Sequence, residues 1–153
     1  MPLPPLDQMN PLIRALYEHW RSIHPPEGLP GRQHFDPTAI PKLLPNVWLV
    51  ELATNPHRFR YRVIGSALLD WGTPLRTGDW LHEAVPEPAA RKDMEAFFIT
   101  AIESRAPHWR RGEPTIAHST YIAELEVIAL PLARDGRTID QLLNATVFYR
   151  RTM

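Results

Sequence analysis

Arg58-Phe59-Arg60-Tyr61-Arg62-Val63-Ile64-Gly65 alternates apolar and charged side chains along a single stretch. A repeat of two is that of a pleated strand, so Phe59, Tyr61 and Val63 are assigned to an inward face and Arg58, Arg60 and Arg62 to an outward one. Upstream, Asn46 to Leu52 is a second apolar run. Ala53 to His57, with Asn55-Pro56 inside it, has the length and chemistry of a hairpin loop between the two. Downstream, Gly65 to Gly72 reads as a short helix closed by glycine.

The bulk properties narrow what surrounds this hairpin. A chain of 153 residues makes one domain with one modest core. Lysine plus arginine equals aspartate plus glutamate, 17 each, so no net field draws it to nucleic acid or a membrane surface. With no cysteine, disulfides, thiolate catalysis and iron-sulfur ligation are excluded together. The first residues lack a signal peptide's basic start and apolar core, and no run approaches the ~20 apolar residues of a bilayer span. A cytoplasmic setting is the expectation.

In chain order, residues 1 to 9 are proline-rich and expected to be irregular. Asn10-Pro11 is a helix cap followed by proline at the first helical position, and Pro25-Pro26 ends the helix beyond Ile23. Its stripe of Leu12, Ile13, Leu16, Tyr17, Trp20 and Ile23 must bury against something. Two partners are open: the domain's own sheet, or a second copy of the chain, with Leu12, Leu16 and Trp20 as the dimer contacts. The domain organisation is accordingly read as an extension with an amphipathic helix over 1–24 and a main domain over 25–153. Prolines 25, 26, 30, 37, 41 and 45 make the next stretch a stiff connector.

Thr77-Gly78-Asp79-Trp80-Leu81 is a turn, and Glu87-Pro88 opens the longest helix, Ala89 to about Arg105, with a stripe of Met94, Phe97, Phe98, Ala101 and Ile102. Arg14 with Glu18 and Arg91 with Glu95 are spaced to pair on the helix surfaces. The last third reads as three strands, over Pro107 to Thr115, Tyr121 to Leu132 and Arg137 to Tyr149. Leu125, Val127 and Ala129 share one face of the second, and Arg134-Asp135-Gly136 turns it into the third.

The sequence resembles the PAS-like family common in alphaproteobacterial proteins. The resemblance is carried by Leu44-Pro45 before the first strand, Arg58 to Gly65, Thr77-Gly78, Leu130-Pro131-Leu132 and Asp135-Gly136, in that order, and covers roughly residues 20 to 149. It departs at Ser66, where the family often has threonine. The resemblance implies an α+β PAS fold: a five-stranded antiparallel sheet, a helical insert between strands 2 and 3, and an N-terminal helix. It implies a sensory or regulatory module that binds a small ligand between sheet and helices, signals through a homodimer or a separate output protein, and is not an enzyme. No attached kinase, cyclase or methyl-acceptor domain accompanies it in this sequence.

For the site itself, Phe59, Tyr61, Leu68, Phe98 and Ile102 are the candidate pocket residues, and Tyr61 is the one with a polar handle. The same aromatics could instead fill the core of a ligand-free interaction domain. Arg58, Arg60 and Arg62 either solvate an exposed strand face or bind a phosphate or carboxylate, and Glu51 on the neighbouring strand could neutralise one of them. The seven histidines lack metal-ligand spacing, and the long helix offers Met94 but no histidine to a haem, so no cofactor is assigned. Ser66, Ser104, Ser119, Asp79 and His118 form no recognisable catalytic motif.

Overall fold

In the computed structural model, which describes residues 3–54, 57–115 and 122–151, β1 (Val47–Ala53) and β2 (Arg58–Ile64) pair as the expected antiparallel hairpin. Asn55 and Pro56 of its loop, and His118, Ser119 and Tyr121, lie outside the described residues. Between β2 and the third strand come α2 (Ser66–Asp70), α3 (Leu81–Ala84) and α4 (Pro88–Ser104), which form the helical insert. Then β3 (His108–Gly112), β4 (Ile122–Leu132) and β5 (Gln141–Arg150) close an all-antiparallel sheet of order β2-β1-β5-β4-β3. The α+β architecture is the one expected.

The alternation of β2 breaks where the sequence gives no warning. Val50 pairs with Tyr61 but Leu49 pairs with Val63, so Arg62 is an extra residue opposite no partner, a bulge. Phe59 and Tyr61 point inward at 2% exposure each, but Val63 is turned out and stands 45% exposed rather than on the inward face. A one-residue slip exchanges the faces of everything beyond it.

The two faces of the sheet are covered by different helices. Register puts Trp48, Tyr61, Leu125, Val127, Thr146 and Phe148 on the face toward α4 and α2. On the opposite face lies α1 (Pro11–Ser22), whose cap Asn10 accepts from the Leu12 amide at 2.8 Å. Ile13 and Leu16 are fully buried there, and the Trp20 indole donates to the Pro131 carbonyl at 2.9 Å. The apolar stripe of α1 therefore belongs to the core of its own chain, and of the three expected dimer contacts only Leu12 keeps partly exposed surface. Residues 3–9 are also better ordered than proline content suggests, with one helical turn at Leu6–Gln8 and Met9 buried.

A buried carboxylate seats α1. Glu126, on the α1 side of β4 and wholly buried, accepts from the Asn10 amide (2.9 Å), the Trp109 indole (3.1 Å) and the Tyr149 hydroxyl (2.8 Å). Negative charge at a helix N-terminus is favoured by the helix dipole, and three donors replace the water it loses.

The proline-rich connector forms short helical turns at Arg32–His34, Pro37–Ala39 and Leu44–Asn46, and buries Leu29, Phe35 and Leu43. It is pinned to the β4–β5 turn by Leu29 N–H to Gly136 O (3.0 Å) and Ala133 N–H to Pro30 O (2.8 Å). The approach requires Gly28: its φ is +81°, and a Cβ there would stand 2.4 Å from the Gly136 carbonyl oxygen. On the helices, Arg14 and Glu18 pair at 2.8 Å as spaced, while Arg91 instead donates to the Val85 carbonyl.

Candidate functional site: a cavity between sheet and helices

Between the inner face of the sheet and α4 lies a cavity of about 390 Å³. Its floor is Trp48, Tyr61, Leu125, Val127, Thr146 and Phe148; its roof is Leu68 of α2 with Met94, Phe97 and Phe98 of α4. Asp93 and Thr100, both exposed on α4, also border it, so it opens past that helix. Small-molecule pockets are of this size and of this mainly apolar character.

Three of the five candidate pocket residues, Tyr61, Leu68 and Phe98, line this cavity. Phe59 sits behind it, its ring centroid 4.9 Å from that of Phe98, and Ile102 packs half-buried against the core without reaching the lining. Sequence reasoning missed Trp48, Thr146, His108 and Arg110. The signal for Trp48 was its place on the strand paired with Tyr61; β3 carries no apolar alternation, so only pairing with β4 reveals that His108 and Arg110 face inward.

The polar groups of the site differ sharply in how well they are satisfied. Trp48 stacks on Tyr61 with centroids 5.7 Å apart, and its indole donates to the Thr146 hydroxyl at 2.8 Å. The Tyr61 hydroxyl is buried and has no hydrogen-bond partner among the described residues. Burial, and secondarily the nearby Asp79 carboxylate, raise its pKa far above the ordinary phenol range, so it remains a neutral donor. His108 packs on Phe97 at 4.7 Å, and burial lowers its pKa. Arg110 donates to the Glu113 carbonyl and to Thr115 Oγ1.

The three arginines of β2 do not converge on a point. Arg58 is exposed; Arg60 donates to the Gly78 carbonyl at 3.2 Å and lies 5.5 Å over the Trp80 ring; Arg62 faces Glu51 at 3.6 Å. With Arg62 and Glu51 both about half exposed, their pair contributes little. The outer edge of β2 is meanwhile covered by the turn after α2, through Tyr61 N–H to Asp79 O and Gly78 N–H to Tyr61 O. Arg60 holds that turn in place.

An antiparallel sheet of this strand order, a helical insert between its second and third strands and a small cavity beneath the insert define one class of α+β domain. Residues 9–146 match the family model described as PAS domain, and the chain belongs to that family. The match is to the PAS domain in general and carries no restriction to alphaproteobacteria. No curated protein and no solved structure matches the chain. No helix among the described residues is long and apolar enough to cross a membrane.

Proposed function

We propose that this PAS domain is a cytoplasmic sensory or regulatory module, not an enzyme, that binds a small and mostly apolar ligand in the cavity under α4. The observation that carries the reading is the cavity itself: about 390 Å³ between the sheet and α4, walled mainly by apolar side chains and open past that helix. A ligand-free interaction domain has no use for such a volume, since each unfilled void lowers stability. Its walls are strands of the same sheet whose other face holds α1, so ligand occupancy and the seating of α1 meet at Leu125, Glu126 and Val127 of β4. Output then passes to a second copy or to a separate partner through surfaces other than the buried stripe of α1. The pocket and arginine roles assigned from sequence stand here as proposals: Tyr61, Leu68 and Phe98 as ligand contacts, and the arginines of β2 as edge-protecting charges.

Native mass spectrometry of the freshly purified protein, set beside its denatured mass, tests this. A non-covalent mass increment that vanishes on denaturation is the expected result. A bare chain whose melting temperature no small molecule raises would make the interaction domain the better reading.

A further inference from the structure

The cavity is chemically lopsided. Tyr61 lines it at 2% exposure with a hydroxyl that no group among the described residues accepts from, and a buried donor without an acceptor keeps its whole desolvation cost. Its ring is fixed by the stack on Trp48 and its backbone by both bonds to the Gly78–Asp79 turn, so the hydroxyl cannot turn away to find water. On the other neighbour of β1, Thr146 Oγ1 of β5 accepts from the Trp48 indole, which leaves its own hydroxyl hydrogen for a further acceptor. This end of the cavity offers donors and wants an oxygen.

What kind of oxygen follows from the charges. Asp79 is the ionised neighbour whose field reaches Tyr61, and it opposes a second negative charge there. The arginine of the lining, Arg110, is on β3, and Tyr61 is on β2, the two opposite edge strands of the sheet. A carboxylate held by Arg110 is therefore not the group that meets Tyr61, and a carboxylate placed at Tyr61 would be desolvated without a cation. The apolar walls combine the rings of Trp48, Phe97, Phe98 and Phe148 with the aliphatic Leu68, Leu75, Met94, Leu125 and Val127, so a flat ring can stack on the first set and be held edge-on by the second. We infer that the pocket takes an uncharged aromatic compound whose carbonyl oxygen accepts a hydrogen bond from Tyr61, an inference that rests on the ligand-binding reading above.

Three probes of one skeleton test it: fluorenone with the carbonyl, fluorene without an acceptor, and fluorene-9-carboxylate with a charge. Equilibrium dialysis against the full chain is expected to give fluorenone a Kd roughly tenfold below that of fluorene, with the carboxylate weakest. Tyr61→Phe, which keeps the ring, is expected to erase the tenfold preference. Equal binding of fluorenone and fluorene, a preference that survives in Tyr61→Phe, or tightest binding of the carboxylate would each overturn the carbonyl assignment while leaving the pocket in place. Failure of all three to bind would overturn this inference, and the native mass measurement above then decides separately whether the pocket holds a ligand at all.

Discussion

The rings of Tyr61 and Trp48 stack at 5.7 Å across the β2–β1 pair, yet the Trp48 indole has an acceptor in Thr146 and the Tyr61 hydroxyl has none among the described residues. The stacking favours burial of both rings, and the orphan hydroxyl opposes it. Tyr61→Phe removes the opposing group and keeps the stack. The variant is expected to be more stable than the parent by about 1 kcal/mol in the absence of ligand, measured by urea unfolding. A loss of stability would mean that the hydroxyl is satisfied in solution.

Phe98 is both wall and core: 1% exposed, it touches Phe59 at 4.9 Å and Trp48 at 5.8 Å between ring centroids while lining the cavity. Phe98→Ala merges the vacated volume with an existing cavity. A cost of about 3 kcal/mol or more is expected from chemical denaturation, since no neighbour can collapse into so large a space. A cost below about 1 kcal/mol would show that α4 closes down over the sheet and that the cavity does not persist.

The stripe of α1 gives a sharper outcome than a dimer test. Leu16 is fully buried and Trp20 is 5% exposed with its indole bonded to Pro131, all within one chain. Leu16→Glu with Trp20→Glu would bury two carboxylates without partners, so the expected product is an unfolded chain by circular dichroism rather than a folded monomer. A folded monomer would show that α1 is dispensable to the domain and leaves its sheet readily.

These residues also mark what could be read from sequence. The α1 cap at Asn10, the long helix, the strand pair around Phe59 and Tyr61 and the face shared by Leu125 and Val127 were legible, because each is set by local periodicity or by a cap. The bulge at Arg62 was not, since an extra residue in one strand shows only in its pairing with the other. His108 and Arg110 were hidden for the same reason: β3 is polar, and its inward face is defined by β4 rather than by its own pattern. Glu126 is the plainest case. Its alternation with Leu125 and Val127 reads as an outward, solvated charge, and only the packing of α1 on that face turns it into a buried one.

Glu126 accepts from three donors contributed by the start of α1, by β3 and by β5. Glu126→Ala would leave the Asn10 amide, the Trp109 indole and the Tyr149 hydroxyl without their acceptor at once. An expected loss of about 3 kcal/mol or more follows, with Glu126→Gln intermediate because it keeps one acceptor oxygen. Hydrogen exchange should accelerate first in the opening turn of α1. Uniform acceleration across the sheet, with α1 no faster than β5, would mean that the carboxylate supports the whole core rather than the helix seat.

The last prediction concerns acid. Burial is the main cause that holds both His19, against Phe35, and His108, against Phe97, below the ordinary histidine value of 6.5. A histidine with a lowered folded pKa binds its proton more readily in the unfolded chain. Its penalty is absent well above pH 6.5, grows as pH falls through that value, and levels off once the folded state is protonated too. Asp36 and Asp135 are lowered from 3.8, chiefly by hydrogen bonds from Thr38 and from the Thr138 amide, so what they contribute is present above that value and lost only in stronger acid. Melting temperature is therefore expected to fall in two separate steps, the first between about pH 7 and 5. His19→Gln and His108→Gln should each flatten that first step; His108→Gln leaves the second unchanged, while His19→Gln also removes a minor part of what lowers Asp36. A first step that persists in the double variant would assign it to other groups. Because His108 lines the cavity, its protonation in the folded state also places a charge beside Phe97, and ligand affinity should weaken only below pH 6.5, at the acid end of that first step.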